Sequence, residues 1–354
     1  MKNVLRKVWG EVNGQLIERL TLTNEADESL VLTNWGATIL SLTLKDRHGD
    51  NQDVCLGYED LETYMHSDAC LGATIGPYAN RLAQAQIKDL DRIYHLDANE
   101  GSNTLHSGSA GFDHKIFQIE TVNHDAVSFL YEAKDGEGGF PGHRRFRVSF
   151  SWNEAKELGI RYEMSTDQDT WVNLTNHSYW NLSGHQSASV LDQEVRVEAS
   201  FYTPVDEFMI PTGEIRSIKE KDFDCQSLRS IASLVADGAS LKGRGLDHNL
   251  ILKRQIELGD LDFIKHRAQA ELFSKATGLR MQILTTEPAI QVYMAGALTE
   301  RQGKGGVKYG KYAGICFETQ HYPDSPNQAH FPTTKLCKKE SYFSETRMRF
   351  FCEA

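Results

Sequence analysis

Residues 144–152 read RRFRVSFSW. In an extended chain Phe146, Val148, Phe150 and Trp152 fall on one face, with Arg145, Arg147, Ser149 and Ser151 on the other. Side chains alternate across a strand with period two, so this stretch predicts a strand with one face in a core and the other at the surface. The same alternation recurs in ILSLTLKD, 39–46, through Leu40, Leu42 and Leu44, and in AVSFLYE, 126–132, through Val127, Phe129 and Tyr131. It appears again in GIRYEMS, 159–165, through Ile160, Tyr162 and Met164. Turn clusters such as HGDN, DGEGGFPG and SGSAG separate the segments. Helical spacing is weak and confined mainly to DCQSLRSIASLVADG, 224–238. Strands that do not alternate with helices argue against a parallel α/β sheet. The expectation is an all-β protein, a large antiparallel sandwich. No Pro/Ser-rich linker, charge block or repeat divides the chain, so residues 1–354 are expected to form a single domain.

Length and charge narrow the function classes. A chain of 354 residues can bury roughly 75% of its unfolded surface and needs no covalent staples. A net charge of −11 with no Lys/Arg cluster argues against nucleic acid, whose binding rests on neutralising phosphates. No apolar run is long enough for a signal peptide or a membrane span. Cys55, Cys70, Cys225, Cys316, Cys337 and Cys352 are scattered, with no C-x-x-C pair, as expected of reduced thiols in a cytoplasm.

The stretch TWVNLTNHSYWNLSGH, 170–185, carries the densest chemistry. It holds three N-x-[ST] triplets, at Asn173, Asn176 and Asn181, which in a cytoplasmic protein arise by chance. Read as one strand, it places Asn173, Thr175, His177, Tyr179 and Asn181 on one face and Leu174, Trp180 and Leu182 on the other. The hydrogen-bonding face is either solvated or the wall of a site. His177 and His185 have no short-spaced carboxylate or thiolate beside them, so no metal is expected.

Further along, GICFETQHYPDSPNQ, 314–328, alternates Ile315 and Phe317 with Cys316 and Glu318. Glu318 is thereby a candidate base if its strand is desolvated, or a surface carboxylate if it lies at an edge. PYANRLA, 77–83, offers Asn80 and Arg81, whose donors and acceptors suit sugar hydroxyls. His106 sits in the Gly/Ser-rich GSNTLHSGSAGFDH, and Asp247 in GRGLDHN. QGKGG, 302–306, lacks the spacing of a phosphate loop.

Taken together, NRLA at 80–83, NTLHSG at 103–108, NLTNHSYWNLSG at 173–184, GLDHN at 245–249 and ICFETQHYPDSPNQ at 315–328 resemble the aldose 1-epimerase (galactose mutarotase) family. Part of DGEGGFPG and FYTPVDEFMIPTGE, 201–214, match as well, and the order is the family's. The resemblance implies a galactose-mutarotase type of β-sandwich that interconverts the α and β anomers of free hexoses. It makes Glu318 the general base and His177, protonated, the general acid. Arg81, His106 and Asp247 become sugar contacts, joined by Asn80, Tyr179 and Gln291. It implies a small aldose as partner, a monomer or homodimer, and no cofactor or metal, because mutarotation moves only protons. A non-catalytic sugar sensor on the same scaffold is the alternative; a hydrolase would want two carboxylates across the bond. Two departures from the family pattern bear on sugar preference. Met294-Ala295-Gly296 replaces a polar triplet, and the usual Gly after NR[IL]A is missing.

Overall fold

The strand Arg144–Trp152 lies between the strands Ala126–Ala133 and Glu157–Thr166, in register Phe129 to Val148 to Tyr162. The computed structural model describes residues 2–353 apart from 3, 91, 188, 220, 237–244 and 254–266. These three strands belong to a nine-stranded sheet. A six-stranded sheet and a five-stranded N-terminal sheet accompany it, and all three are antiparallel throughout. The expected all-β class and antiparallel sandwich are what the chain adopts.

Alternation decides which face of each strand is covered. Phe146, Val148, Phe150 and Trp152 are fully buried, while Arg145 and Arg147 on the opposite face pair with Glu120 and Glu163. Leu30, Leu42 and Leu44 of the N-terminal sheet and Ile290, Val292, Ile315 and Phe317 of the six-stranded sheet join the same apolar cluster. That cluster lies between the sheets. Each large side chain so buried contributes about 1.5–3 kcal/mol.

Two local expectations need correction. The helical pattern at 224–238 yields only a short helix, Ile231–Ala236, with 237 and 238 outside the described residues. A second short helix, Leu61–His66, is started by Asp60, whose carboxylate accepts the Thr63 amide at 2.8 Å. The stretch 170–185 is not one strand. It is broken into Thr170–Trp171, Thr175–Asn176 and Tyr179–Trp180, each paired with a different partner. Both of its faces are buried, so the solvated-face reading falls. Asn173, Asn176 and Asn181 are at most 6% exposed and are structural hydrogen-bonders rather than glycan acceptors.

Candidate active site

In the six-stranded sheet the apolar residues face the core, so the alternate positions face away from it. Three neighbouring strands use that outer face. Ile315–Gln320 presents Cys316 and Glu318, Ala289–Tyr293 presents Gln291 and Tyr293, and Asp247–Leu252 presents Asp247 and Asn249. Register sets Glu318 beside Gln291 and Gln291 beside Asn249, with Asp247 beside Tyr293. Gln291 then donates to the Asp247 carboxylate at 2.7 Å.

His177 comes from the break in the 170–185 stretch. Its amide donates to the Ala73 carbonyl at 2.9 Å, and its carbonyl accepts the Gly72 amide at 3.1 Å. Gly72 has φ +74°, and a Cβ there would lie 2.0 Å from the Ile39 carbonyl oxygen, so only glycine fits under this anchor. Asn176 tightens the bend, donating to the Gly72 carbonyl at 2.9 Å and accepting from the Ser178 hydroxyl at 2.7 Å. The imidazole stacks on Tyr179, centroids 5.1 Å apart, and meets His106 edge-on at 5.5 Å. Its Nε2 stands 3.7 Å from Glu318 Oε1.

Asn80 and His106 sit in two loops locked to each other, both with left-handed backbones. The His106 amide donates to the Asn80 carbonyl at 3.1 Å, and His106 Nδ1 accepts the Asn80 amide at 3.2 Å. Since Nδ1 accepts, the ring proton of neutral His106 is on Nε2. Next to them Arg81 grips Glu100 through two parallel bonds, Nε to Oε2 at 2.6 Å and Nη2 to Oε1 at 2.7 Å.

These groups surround a cavity of about 240 Å³. Asn80, Arg81, His106, His177, Asp247 and Glu318 form its polar side, with Tyr179 also in its wall. Of the acid, base and sugar contacts the resemblance implied, Gln291 alone does not line the cavity; it holds Asp247. A larger, open groove of about 880 Å³ lies on the other side of Asp68, near Tyr58, His66 and Arg301, and contains none of these groups. Sequence reasoning missed Glu100, Tyr293, Met209 and Ala297, all of which line the smaller cavity. Only Glu100 had a signal available: a buried guanidinium needs a counter-charge.

Burial sets the protonation states. Glu318 is 2% exposed; desolvation first, then the charge of Asp247, pushes its carboxyl up to about 8 against a smaller opposing pull from Arg81. Burial pushes His177 down to about 4. Burial, with the charges of His177 and Arg81, also takes His106 well below the usual imidazole value. For Arg81 burial opposes the charge, but the hydrogen bonds and charge of Glu100 outweigh it and raise the guanidinium above its ordinary value. Between those two values the pair therefore keeps one proton, on the carboxyl. Glu318 Oε2 has no hydrogen-bond partner among the described residues. Donor atoms of His106, His177 and Glu318 lie within 4.8 Å of one another, the one group with metal-ligand spacing among the described residues. The same spacing suits a sugar's anomeric and ring oxygens.

The family profile described as aldose 1-epimerase matches residues 18–349, and the chain belongs to that family. The protein named galactose mutarotase in Homo sapiens is 37% identical over 353 residues, covering 99% of both chains. The Escherichia coli protein named aldose 1-epimerase is 34% identical over 344 residues, covering 96% of this chain and 97% of its own. Among solved structures, an aldose epimerase homologue from C. elegans superposes with a TM-score of 0.87 at 26% identity, covering 95% of this chain and 99% of its own. The galactose 1-epimerase of Lactobacillus acidophilus superposes at 0.84, covering 99% of both chains; at 23% identity it supports the fold alone.

Of the two departures, Met294 and Ala295 are fully buried, and Met294 Sδ receives the Leu246 amide at 3.5 Å. Met294 joins the main core, while Ala295 packs in the cluster that holds Tyr179 and Cys316; the flanking residues Tyr293 and Ala297 line the cavity. At the missing glycine, Gln84 carries φ +55°, a conformation glycine adopts without strain.

Proposed function

We infer that the protein is an aldose 1-epimerase that interconverts the α and β anomers of free hexoses, with Glu318 as general base and His177 as general acid. The single observation that carries the reading is the 3.7 Å approach of His177 Nε2 to Glu318 Oε1 in a cavity the size of one sugar ring. Full-length similarity to proteins named galactose mutarotase and aldose 1-epimerase supports it.

The proton count follows from the pair. Ring opening takes a proton from the C1 hydroxyl, makes the C1 carbonyl, breaks the C1–O5 bond and protonates O5. With Glu318 ionised and His177 protonated, the carboxylate receives the first proton and the imidazolium supplies the second. What remains is a neutral carboxyl and a neutral imidazole, the state burial favours. Ring opening thus converts a buried ion pair into two neutral groups; because burial favours the neutral pair, moving the proton from Glu318 to His177 beforehand costs what its return releases, and the pair ends in its resting state. Rotation about C1–C2 and closure with the roles reversed deliver the other anomer. No electron or group is transferred, so the chemistry asks for no cofactor.

His106 Nε2–H and the Arg81 guanidinium would donate to oxygens near O5 and damp developing charge. Asp247, held by Gln291, would accept from ring hydroxyls; Asn80 shapes the loop that carries Arg81, and Tyr179 backs the His177 ring. A positioned acid and base contribute about 10²–10⁴-fold. We read residues 1–354 as one catalytic domain acting on a small aldose in the cytoplasm, where six unpaired thiols are at home. No helix among the described residues is long and apolar enough to cross a membrane. Polarimetry of freshly dissolved α-D-glucose and α-D-galactose tests the reading: catalytic amounts of protein should hasten the approach to equilibrium. Sugar binding without acceleration would make it a sensor.

A further inference from the structure

The strand Ile315–Gln320 sends two side chains to the same ring. Cys316 and Glu318 are two residues apart and so share a face, while Ile315 and Phe317 between and beside them go to the core. Glu318 Oε1 approaches Nε2 of His177, and Cys316 Sγ lies 3.5 Å from Nδ1. The ring also bonds to the residue's own backbone, and Cys316 is the side chain that meets Nδ1. Cys316 is fully buried, and its backbone is paired with Tyr179 on one side and Tyr293 on the other, so water does not compete for the ring nitrogen. Nothing in the sequence reading gave this cysteine a part.

We propose that Cys316 is a positioning residue whose sulfur accepts the Nδ1–H of His177 and thereby fixes Nε2 as the nitrogen that exchanges protons with the sugar. The inference rests on His177 being the acid. A neutral imidazole has one N–H, and the nitrogen without it does the proton transfer. Neutral histidine in water favours the proton on Nε2, and in His177 that tautomer would make Nδ1 the acceptor of the Cys316 S–H, the reverse of the proposed bond. A partner at Nδ1 is needed to reverse that preference.

The choice of sulfur has a second consequence. A carboxylate at Nδ1 would stabilise the imidazolium and weaken it as an acid. A thiol accepts weakly and brings no charge, so the protonated ring stays eager to release its Nε2 proton to the ring oxygen. His106 shows the opposite arrangement: its Nδ1 accepts the Asn80 amide, so its proton is on Nε2. The two touching imidazoles are thus set in opposite tautomers, one a fixed donor and one a shuttle.

The test is ¹⁵N NMR of the full-length protein labelled at histidine, at neutral pH, with the His177 signals identified by their loss in His177→Asn. The expected wild-type spectrum has Nδ1 protonated in His177 and Nε2 protonated in His106. Cys316→Ala should turn His177 to the Nε2–H form and lower kcat about 10-fold with little change in KM. Cys316→Ser, whose hydroxyl can accept the same bond, should keep the wild-type tautomer and most of the rate. A wild-type His177 protonated at Nε2, or a Cys316→Ala protein that keeps Nδ1–H, overturns the proposal; if Cys316→Ala does not fold, the wild-type and Cys316→Ser spectra decide. Full activity in His177→Asn would instead defeat the catalytic reading while leaving the sulfur contact in place.

Discussion

His177 Nε2 and Glu318 Oε1 stand 3.7 Å apart, each brought in by a different segment and both almost fully buried. At that distance and burial they titrate as a pair holding one exchangeable proton. The imidazole gains a second proton only near its lowered value of about 4, and the carboxyl loses the shared one near its raised value of about 8. In the proposed mechanism the one-proton state is the active one. We expect kcat/KM to be flat in between, to fall as pH drops through the lower value and to fall again as pH rises through the upper. A pH profile of initial polarimetric rates checks this; activity that climbs through pH 8 would mean the pair works without its proton.

Glu318 also carries a stability signature. Its carboxyl binds its proton more tightly in the folded protein than in the unfolded chain, so folding is favoured at low pH and that advantage is lost as pH rises toward about 8. Glutamine cannot ionise. Glu318→Gln should therefore gain stability over wild type by roughly 1–3 kcal/mol between pH 5 and pH 9, measured by urea unfolding. A difference that does not change with pH would show that the carboxyl is not held protonated by burial.

Glu100 is expected to matter through Arg81. Its two bonds at 2.6 and 2.7 Å hold the guanidinium flat against the cavity and neutralise it. Arg81 pulls the Glu318 carboxyl downward, so an uncompensated Arg81 should pull it further. Glu100→Gln should lower kcat/KM about 10-fold and move the upper pH limb to lower pH. A reduced rate with an unmoved limb would reduce Glu100 to a loop support.

Phe317 separates fold from chemistry on a single strand. It points into the core between Cys316 and Glu318, and it is 2% exposed. Phe317→Ala should cost about 3–5 kcal/mol in denaturant unfolding, yet leave the rate per folded molecule within a few-fold of wild type. A specific loss of rate in fully folded Phe317→Ala would mean that the core face tunes the pair.

The alternation in residues 144–152 was enough to fix a strand, because a two-residue period survives any tertiary context that keeps one face covered. The same logic placed Glu318 opposite Phe317. It could not show that the outer face of that sheet is also covered, since period two reports which residues share a face and not what lies over it. The stretch 170–185 misled as a single strand because its hydrogen bonds are taken up by three different partners, all distant in sequence. Met209 was invisible for a related reason: it reaches the cavity from a loop, far in sequence from the other site residues. Gln84 shows the reverse case, where a missing glycine in the sequence corresponds to a left-handed residue that the chain nevertheless forms.

The central claim is that one proton passes between Glu318 and His177 by way of the sugar. Polarimetry of fresh α-D-galactose with wild-type and Glu318→Gln protein at equal folded concentration tests it most directly. Wild type should greatly speed the slow spontaneous change of rotation, and Glu318→Gln should lose about 10²–10⁴-fold of the catalysed rate while still melting cooperatively. A folded Glu318→Gln that matches wild type would contradict the account.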